Sequence, residues 1–248
     1  MLVIIGKDYD GMSREAANIV ADRIRRKPNL VLGLATGSTP LGLYRELIRM
    51  YKGGSLSFSK VITFNLDEYI GLPRTHTQSY AHFMQENLFK HVDMDPHYIH
   101  IPDGLANDID AHCEWYENEI QRWGGIDLQI VGIGANGHIA FNEPGSSLGS
   151  RTRIKTLSQQ TIEDNMRFFK KKDEVPKFAI TMGIGTIMEA KEVLLLASSS
   201  NKADAIKAAV EGPITAMVPA SIIQMHRKAY VILDREAAAK LTQQYEQR

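Results

Sequence analysis

His138 and Glu143 stand five residues apart in Gly132-Ile-Gly-Ala-Asn-Gly-His-Ile-Ala-Phe-Asn-Glu143, an imidazole and a carboxylate inside a glycine-rich stretch. An imidazole oriented by a carboxylate can move a proton near neutral pH. Asn136, two residues before the histidine, offers an amide that can hold a hydrogen bond but has no charge to share with the ring. A second cluster lies in Asn65-Leu-Asp-Glu-Tyr69, where Asp67 is a candidate general base if its surroundings limit hydration. An adjacent Asp and Glu are more often a solvated turn pair, and a lone histidine is more often structural. Position argues otherwise: the strand-like runs at residues 61–64 and 126–131 place both clusters just beyond strand ends, where open α/β sheets bind ligands.

The run at 30–34 leads into Ala35-Thr-Gly-Ser-Thr-Pro40 and then a helical pattern. Backbone N–H groups at such a turn, with the hydroxyls of Thr36, Ser38 and Thr39 around Gly37, suit an anion. The plainer alternative is a capped helix start, with Thr39 as N-cap and Pro40 at the first helical position. The loop lacks the Gly-Lys-Ser/Thr ending of a nucleotide-binding loop, which favours a simple phosphomonoester. His-x4-Glu with no second His or Cys nearby does not match a zinc helix, so no metal is expected.

Elements must hold these three segments together. Further strand-like runs fall at 2–5, 178–182, 193–197 and 230–233, between helical patterns at 13–26, 41–52, 79–91, 108–123, 201–210 and 220–226. The alternation predicts an α/β fold: an open, mostly parallel, Rossmann-like sheet with helices on both faces. With 248 residues, 44% of them hydrophobic, one domain over residues 1–248 is expected. The polar stretch 145–176, carrying Arg151, Arg153, Lys155, Arg167, Lys170, Lys171 and Lys172, is expected to form a basic, lid-like insertion. Lysine plus arginine balance aspartate plus glutamate at 29 each, which argues against electrostatic binding to nucleic acid or an anionic membrane. No apolar run approaches the roughly 20 residues that span a bilayer, and the apolar opening is too short for a secretory signal. Cys113 is the lone cysteine. A cytoplasmic protein acting on a small molecule follows, and a homo-oligomer is compatible with the sequence.

Taken together, Gly33-Leu-Ala-Thr-Gly-Ser-Thr-Pro40, Thr63-Phe-Asn-Leu-Asp-Glu-Tyr-Ile-Gly-Leu-Pro73, Ser79-Tyr80, the segment through Pro144, Ser150-Arg-Thr-Arg-Ile-Lys-Thr-Leu157 and Ala208-Ala-Val-Glu-Gly212 closely resemble the glucosamine-6-phosphate deaminase family. That resemblance implies conversion of glucosamine 6-phosphate and water to fructose 6-phosphate and ammonia, without a cofactor. It implies that Asp67 moves the proton between C2 and C1 and that His138 with Glu143 opens the sugar ring, assisted at Asn136, where some family members carry Asp. For substrate binding it points to Thr36, Gly37, Ser38, Thr39, Glu68, Arg167 and Lys202. Some members are hexamers activated by N-acetylglucosamine 6-phosphate, and Ser146, Arg153 and Lys155 resemble part of that effector site. The chain ends at Arg248, short of a C-terminal tyrosine that longer members contribute, which argues against this activation and leaves it an open question of the resemblance. The competing readings are a 6-phosphogluconolactonase and a sugar-phosphate-sensing module on the same fold; the latter would want a DNA-binding segment, for which the early strand at 2–5 leaves no room.

Overall fold

The computed structural model describes residues 1–157 and 175–248. Its centre is an eight-stranded sheet in the order β11-β1-β10-β9-β6-β2-β3-β5, with every pairing parallel. The strands are β1 (Leu2–Gly6), β2 (Val31–Leu34), β3 (Ile62–Asn65), β5 (Ile99–His100), β6 (Leu128–Gly132), β9 (Glu192–Ala197), β10 (Ala229–Asp234) and β11 (Glu246–Gln247). Buried runs such as Val193, Leu194, Leu195 and Leu196 are what a sheet covered on both faces requires. Helices α1 (Tyr9–Arg26), α2 (Leu41–Lys52), α3 (Tyr80–Asn87), α4 (Ile109–Arg122), α5 (Ile184–Met188) and α6 (Ala203–Val210) supply the cover. In α1, Ala16, Ala17, Val20, Ala21 and Ile24 recur at helical spacing and are buried, while Arg25 and Arg26 face outward.

From β1 the chain crosses to β2, runs outward through β3 to β5, then returns to β6 on the other side of β2 and continues through β9 to β10. The direction of winding reverses between β2 and β6. Such a reversal leaves a crevice at the carboxyl ends of the two strands, because their following loops diverge to opposite sides. The loop after β2 is residues 35–40, and the loop after β6 carries His138 and Glu143.

A second, antiparallel sheet has the order β4-β8-β7, formed by β4 (Asp67–Tyr69), β8 (Phe178–Thr181) and β7 (Arg153–Thr156). It corrects two expectations. The run at 178–182 belongs to this small sheet rather than to the large one, and residues 153–156 of the expected lid are a strand in it. Residues 158–174, with Arg167, Lys170, Lys171 and Lys172, lie outside the described residues. Smaller differences follow local chemistry. Helix α1 starts at Tyr9 because Asp8 caps it, its carboxylate accepting from the Gly11 N–H at 2.8 Å. The pattern at 220–226 is a 3-10 helix, Pro219–Met225. That at 79–91 is α3 followed by a 3-10 turn, Phe89–His91.

Candidate active site

The loop after β2 depends on glycine at two points. Gly37 has φ +100°, a left-handed conformation that L side chains rarely adopt. Gly33 lies under the Gln129 side chain, where a Cβ would approach Oε1 to 2.1 Å. Gly37 and Ser38 are exposed, and Thr36 and Thr39 are half-buried. The expected cap is absent: Pro40, not Thr39, is the N-cap of α2, and no side chain of that residue bonds the helix. Tyr9 takes the role from α1. Its hydroxyl accepts from the Gly42 N–H at 2.7 Å and lies 3.0 Å from the Ser38 carbonyl and 3.1 Å from that of Thr39. Because Tyr9 holds the helix end, the side chains of Ser38 and Thr39 are not needed as its caps.

Asp67 opens β4, immediately after the chain leaves the large sheet at Leu66. Burial, reinforced by the neighbouring Glu68 charge, pushes its pKa up to about 8. Glu68 is wholly buried and accepts backbone N–H bonds from Tyr69 at 2.8 Å, Tyr80 at 2.9 Å and Ala81 at 2.8 Å. Burial raises its pKa as well, with those bonds acting in the opposite direction. Its carboxylate thus ties the start of α3 to β4, a use of charge at a helix N-terminus. The expectation of Glu68 as a substrate contact meets oxygens already committed to these backbone donors.

The loop after β6 doubles back so that Glu143 returns to Asn136. Ala140 makes this reversal at φ 50°, with an isolated bridge between Ile139 and Asn142. His138 Nδ1 lies 2.7 Å from Asn136 Oδ1, and Asn136 Nδ2 donates to Glu143 Oε2 at 2.7 Å. The amide orientation is set independently, because Oδ1 also accepts the His138 backbone N–H at 3.2 Å. An amide oxygen can only accept, so Nδ1 must carry the proton and Nε2 is the ring's free acceptor. The direct approach of His138 Nδ1 to Glu143 Oε2 is 3.6 Å, too long for a hydrogen bond. The expected pair is therefore a chain of three, with Asn136 between ring and carboxylate. Gly134 makes room for the ring, since a Cβ there would lie 2.1 Å from His138 Cε1.

Strand β8 brings the two clusters together. Thr181 pairs with Asp67 across β4 and β8, and its hydroxyl accepts from the Phe141 N–H at 3.2 Å. Asn142 donates to the carbonyls of Ile139 and Met182 at 3.0 and 2.8 Å. Arg153 from β7 donates to Asn142 Oδ1 at 2.9 Å and to the Arg151 carbonyl at 3.1 Å. Tyr69, Tyr80 and Phe141 pack as an aromatic cluster between the Asp67 strand and the His138 loop, with Tyr69 and Tyr80 centroids 4.8 Å apart. Sequence reading missed Tyr9 and Thr181 as supports, because each acts across a long stretch of chain with no local pattern. Of the residues likened to an effector site, Ser146 is buried and Arg153 holds Asn142 inside the fold. Lys202 ends a 3-10 turn, Ser200–Lys202, just before α6.

Among the described residues, no group of three or more His, Cys, Asp and Glu side chains is arranged to hold a metal, and no helix is long and apolar enough to cross a membrane.

Comparison with known proteins finds relatives over nearly the whole chain. A protein of Thermoanaerobacter sp. (strain X514) described as glucosamine-6-phosphate deaminase is 55% identical over 239 residues, covering 96% of this chain and 94% of that protein. One of the same description from Clostridioides difficile (strain 630) is 52% identical, covering 97% of each. The solved structure of a monomeric glucosamine-6-phosphate deaminase superposes with a TM-score of 0.94 at 46% identity, covering 97% of this chain and all of that one. A 6-phosphogluconolactonase from Trypanosoma cruzi superposes at 0.75 with 20% identity, a likeness of fold alone. The profile that describes glucosamine-6-phosphate isomerases and 6-phosphogluconolactonases matches residues 9–232, and the chain belongs to that family.

Proposed function

We infer that the protein is a glucosamine-6-phosphate deaminase, releasing ammonia from glucosamine 6-phosphate and leaving fructose 6-phosphate. The observation that supports this reading most is that an anion-type loop, a buried carboxylate and an imidazole with an open Nε2 follow the carboxyl ends of three neighbouring strands, β2, β3 and β6. Relatives at 52–55% identity over nearly the whole chain support it. The 6-phosphogluconolactonase likeness, at 20% identity, supports only the fold.

In this reading the backbone and hydroxyls of residues 36–39 anchor the phosphate, with Arg167 and Lys202 as further cations. His138 Nε2 takes the anomeric hydroxyl proton and returns it to the ring oxygen, breaking the C1 to O5 bond. Asn136 and Glu143 hold the ring and disperse the positive charge that forms on it. Asp67 then removes the C2 proton of the open chain to give an enolamine. Protonation at C1 leaves an iminium at C2; water adds there, and ammonia departs. The substrate's own nitrogen is the electron sink, so these steps use no cofactor. The ammonium of the arriving sugar favours the ionised form of Asp67, countering the burial that holds its proton.

A sugar phosphate is kept inside a cell by its charge, so the proposed place of action is the cytoplasm. One chain supplies every residue named, and the 46% identical relative is described as monomeric. Both support a site that needs no second copy. His138→Gln tests the ring-opening step: turnover of the cyclic substrate should fall by about 10²-fold or more. Wild-type turnover in that variant would remove His138 from the mechanism.

A further inference from the structure

Ser199, two residues beyond the end of β9, has φ 79° and ψ 154°. That region is essentially reserved for glycine, and a residue with a side chain held there is strained. Such a conformation persists only where the surroundings enforce it, and here the enforcing group is Asp234. This last residue of β10 is 5% exposed. Its Oδ2 accepts from the Ser199 N–H at 3.1 Å and from the Ser198 hydroxyl, while Oδ1 accepts from the Ala237 N–H at 2.7 Å.

The strained turn launches the segment that carries Lys202. β9 is separated from β2 by β6 alone. The end of β9 therefore lies two strand spacings, about 10 Å, from the start of the loop at 35–40. A lysine just past that end is within reach of an anion held by the loop. The chain after Asp234 also braces α6 at both ends. Lys240 pairs with Asp204 in the first turn at 2.6 Å. Glu211, just past the last turn, accepts from the backbone N–H groups of Thr242 and Gln243 and from the Tyr245 hydroxyl.

We propose that Asp234 is a positioning residue for phosphate binding: by holding Ser199 in its strained turn, it sets where Lys202 stands relative to the anion loop. The proposal rests on the assignment of Lys202 to the phosphate. A carboxylate suits this place because it accepts three donors at once: the Ser199 N–H is shared between Oδ2 at 3.1 Å and Oδ1 at 3.3 Å, the Ser198 hydroxyl bonds Oδ2, and the Ala237 N–H bonds Oδ1. In Asp234→Asn one oxygen becomes an N–H donor: at the Oδ2 position it takes away the shorter of the two bonds from the Ser199 N–H, and at the Oδ1 position it faces the Ala237 N–H, so the hold on the turn weakens either way. Freed of its holder, the turn relaxes to an ordinary conformation and the start of α6 shifts with it.

The test is steady-state kinetics on glucosamine 6-phosphate with inorganic phosphate as competitive inhibitor, in Asp234→Asn, Ser198→Ala, Lys202→Ala and the double variant Asp234→Asn/Lys202→Ala. Asp234→Asn should raise both KM and the phosphate inhibition constant about tenfold while kcat stays within about twofold. Ser198→Ala, which loses one hydroxyl bond to Asp234 and keeps the rest of the fold, should move both constants the same way by about threefold. The double variant should bind phosphate no more weakly than Lys202→Ala alone, because Asp234 acts through that lysine. If Asp234→Asn and Ser198→Ala bind phosphate as the wild type does while Lys202→Ala is weakened, the positioning role is wrong and the phosphate role of Lys202 stands. If Asp234→Asn does not fold, Ser198→Ala decides alone. Unchanged phosphate inhibition in Lys202→Ala would overturn both.

Discussion

Asp67 and His138, the two groups proposed to move protons, have their protons held by different means. Burial and the Glu68 charge hold a proton on Asp67, whose pKa rises from 3.8 to about 8. His138 keeps an open nitrogen because Asn136 fixes the proton on the other one. Two outcomes follow from the Asp67 shift. The acid limb of kcat/KM, which reports the free enzyme, should have its midpoint near pH 8, because the base works only when ionised. A limb near pH 4 would mean that Asp67 is hydrated and is not the tuned base. The same shift has a stability sign: a carboxyl whose folded-state pKa is raised binds its proton more tightly in the fold. Stability is therefore lost as pH rises from about 4 to about 8. Asp67→Asn, neutral at every pH, should abolish deamination yet raise stability at pH 8 by about 1–2 kcal/mol, read from denaturant unfolding. Equal or lower stability would show that the buried carboxylate carries no such cost. Asn136 shows what was and was not legible at this scale. The residue types and their spacing pointed to a His and Glu unit, but the reversal at Ala140, which inserts the amide between them, leaves no mark in the pattern of residue types.

The elements divide the labour between the two ends of the sheet. At the carboxyl ends of the large sheet, β2, β3 and β6 lead into the three segments proposed for chemistry. At the opposite end, charges staple strands to one another. Asp127, just before β6, accepts from the Val31 N–H at 2.8 Å, from Lys27 at 2.6 Å and from Lys191 at 2.7 Å. Burial would raise its pKa, but these bonds outweigh it and hold the carboxyl below its usual range. Glu192 is held down in the same way by Arg23 and Lys228 against its own burial. For a depressed carboxyl the stabilisation is present above the unfolded pKa and lost as pH falls through the folded one, so both staples fail below about pH 4. Asp127→Asn should cost about 1–3 kcal/mol in unfolding while leaving kcat and KM at wild-type values. A matching loss of activity would show that the far end of the sheet reaches the site. The long strands and helices were readable because their apolar periods are regular and uninterrupted. Strands β4, β5, β7 and β11 were not, since segments such as Asp67–Tyr69, Arg153–Thr156 and Glu246–Gln247 are short, have no apolar run and form only when a partner strand is already in place. Tyr9, capping α2 from another helix, escaped for the same reason: its contact spans 33 positions of chain.

For the whole molecule, the winding of the large sheet decides where chemistry can occur, and three distant segments meet because their strands end at one edge. The alternation of apolar strands and amphipathic helices was enough to expect this sheet, and strand-end position was enough to place the clusters on one edge. The antiparallel sheet, which locks the Asp67 strand to the His138 loop through Thr181, had to be seen in three dimensions. The central claim is that this edge deaminates an amino sugar phosphate without a metal. The most direct measurement is ammonium release from purified protein supplied with glucosamine 6-phosphate and a chelator, with fructose 6-phosphate quantified in the same sample. Equal amounts of both products are expected. Absence of both, with hydrolysis of 6-phosphogluconolactone in a parallel sample, would contradict the account and turn the same fold to the lactonase reaction.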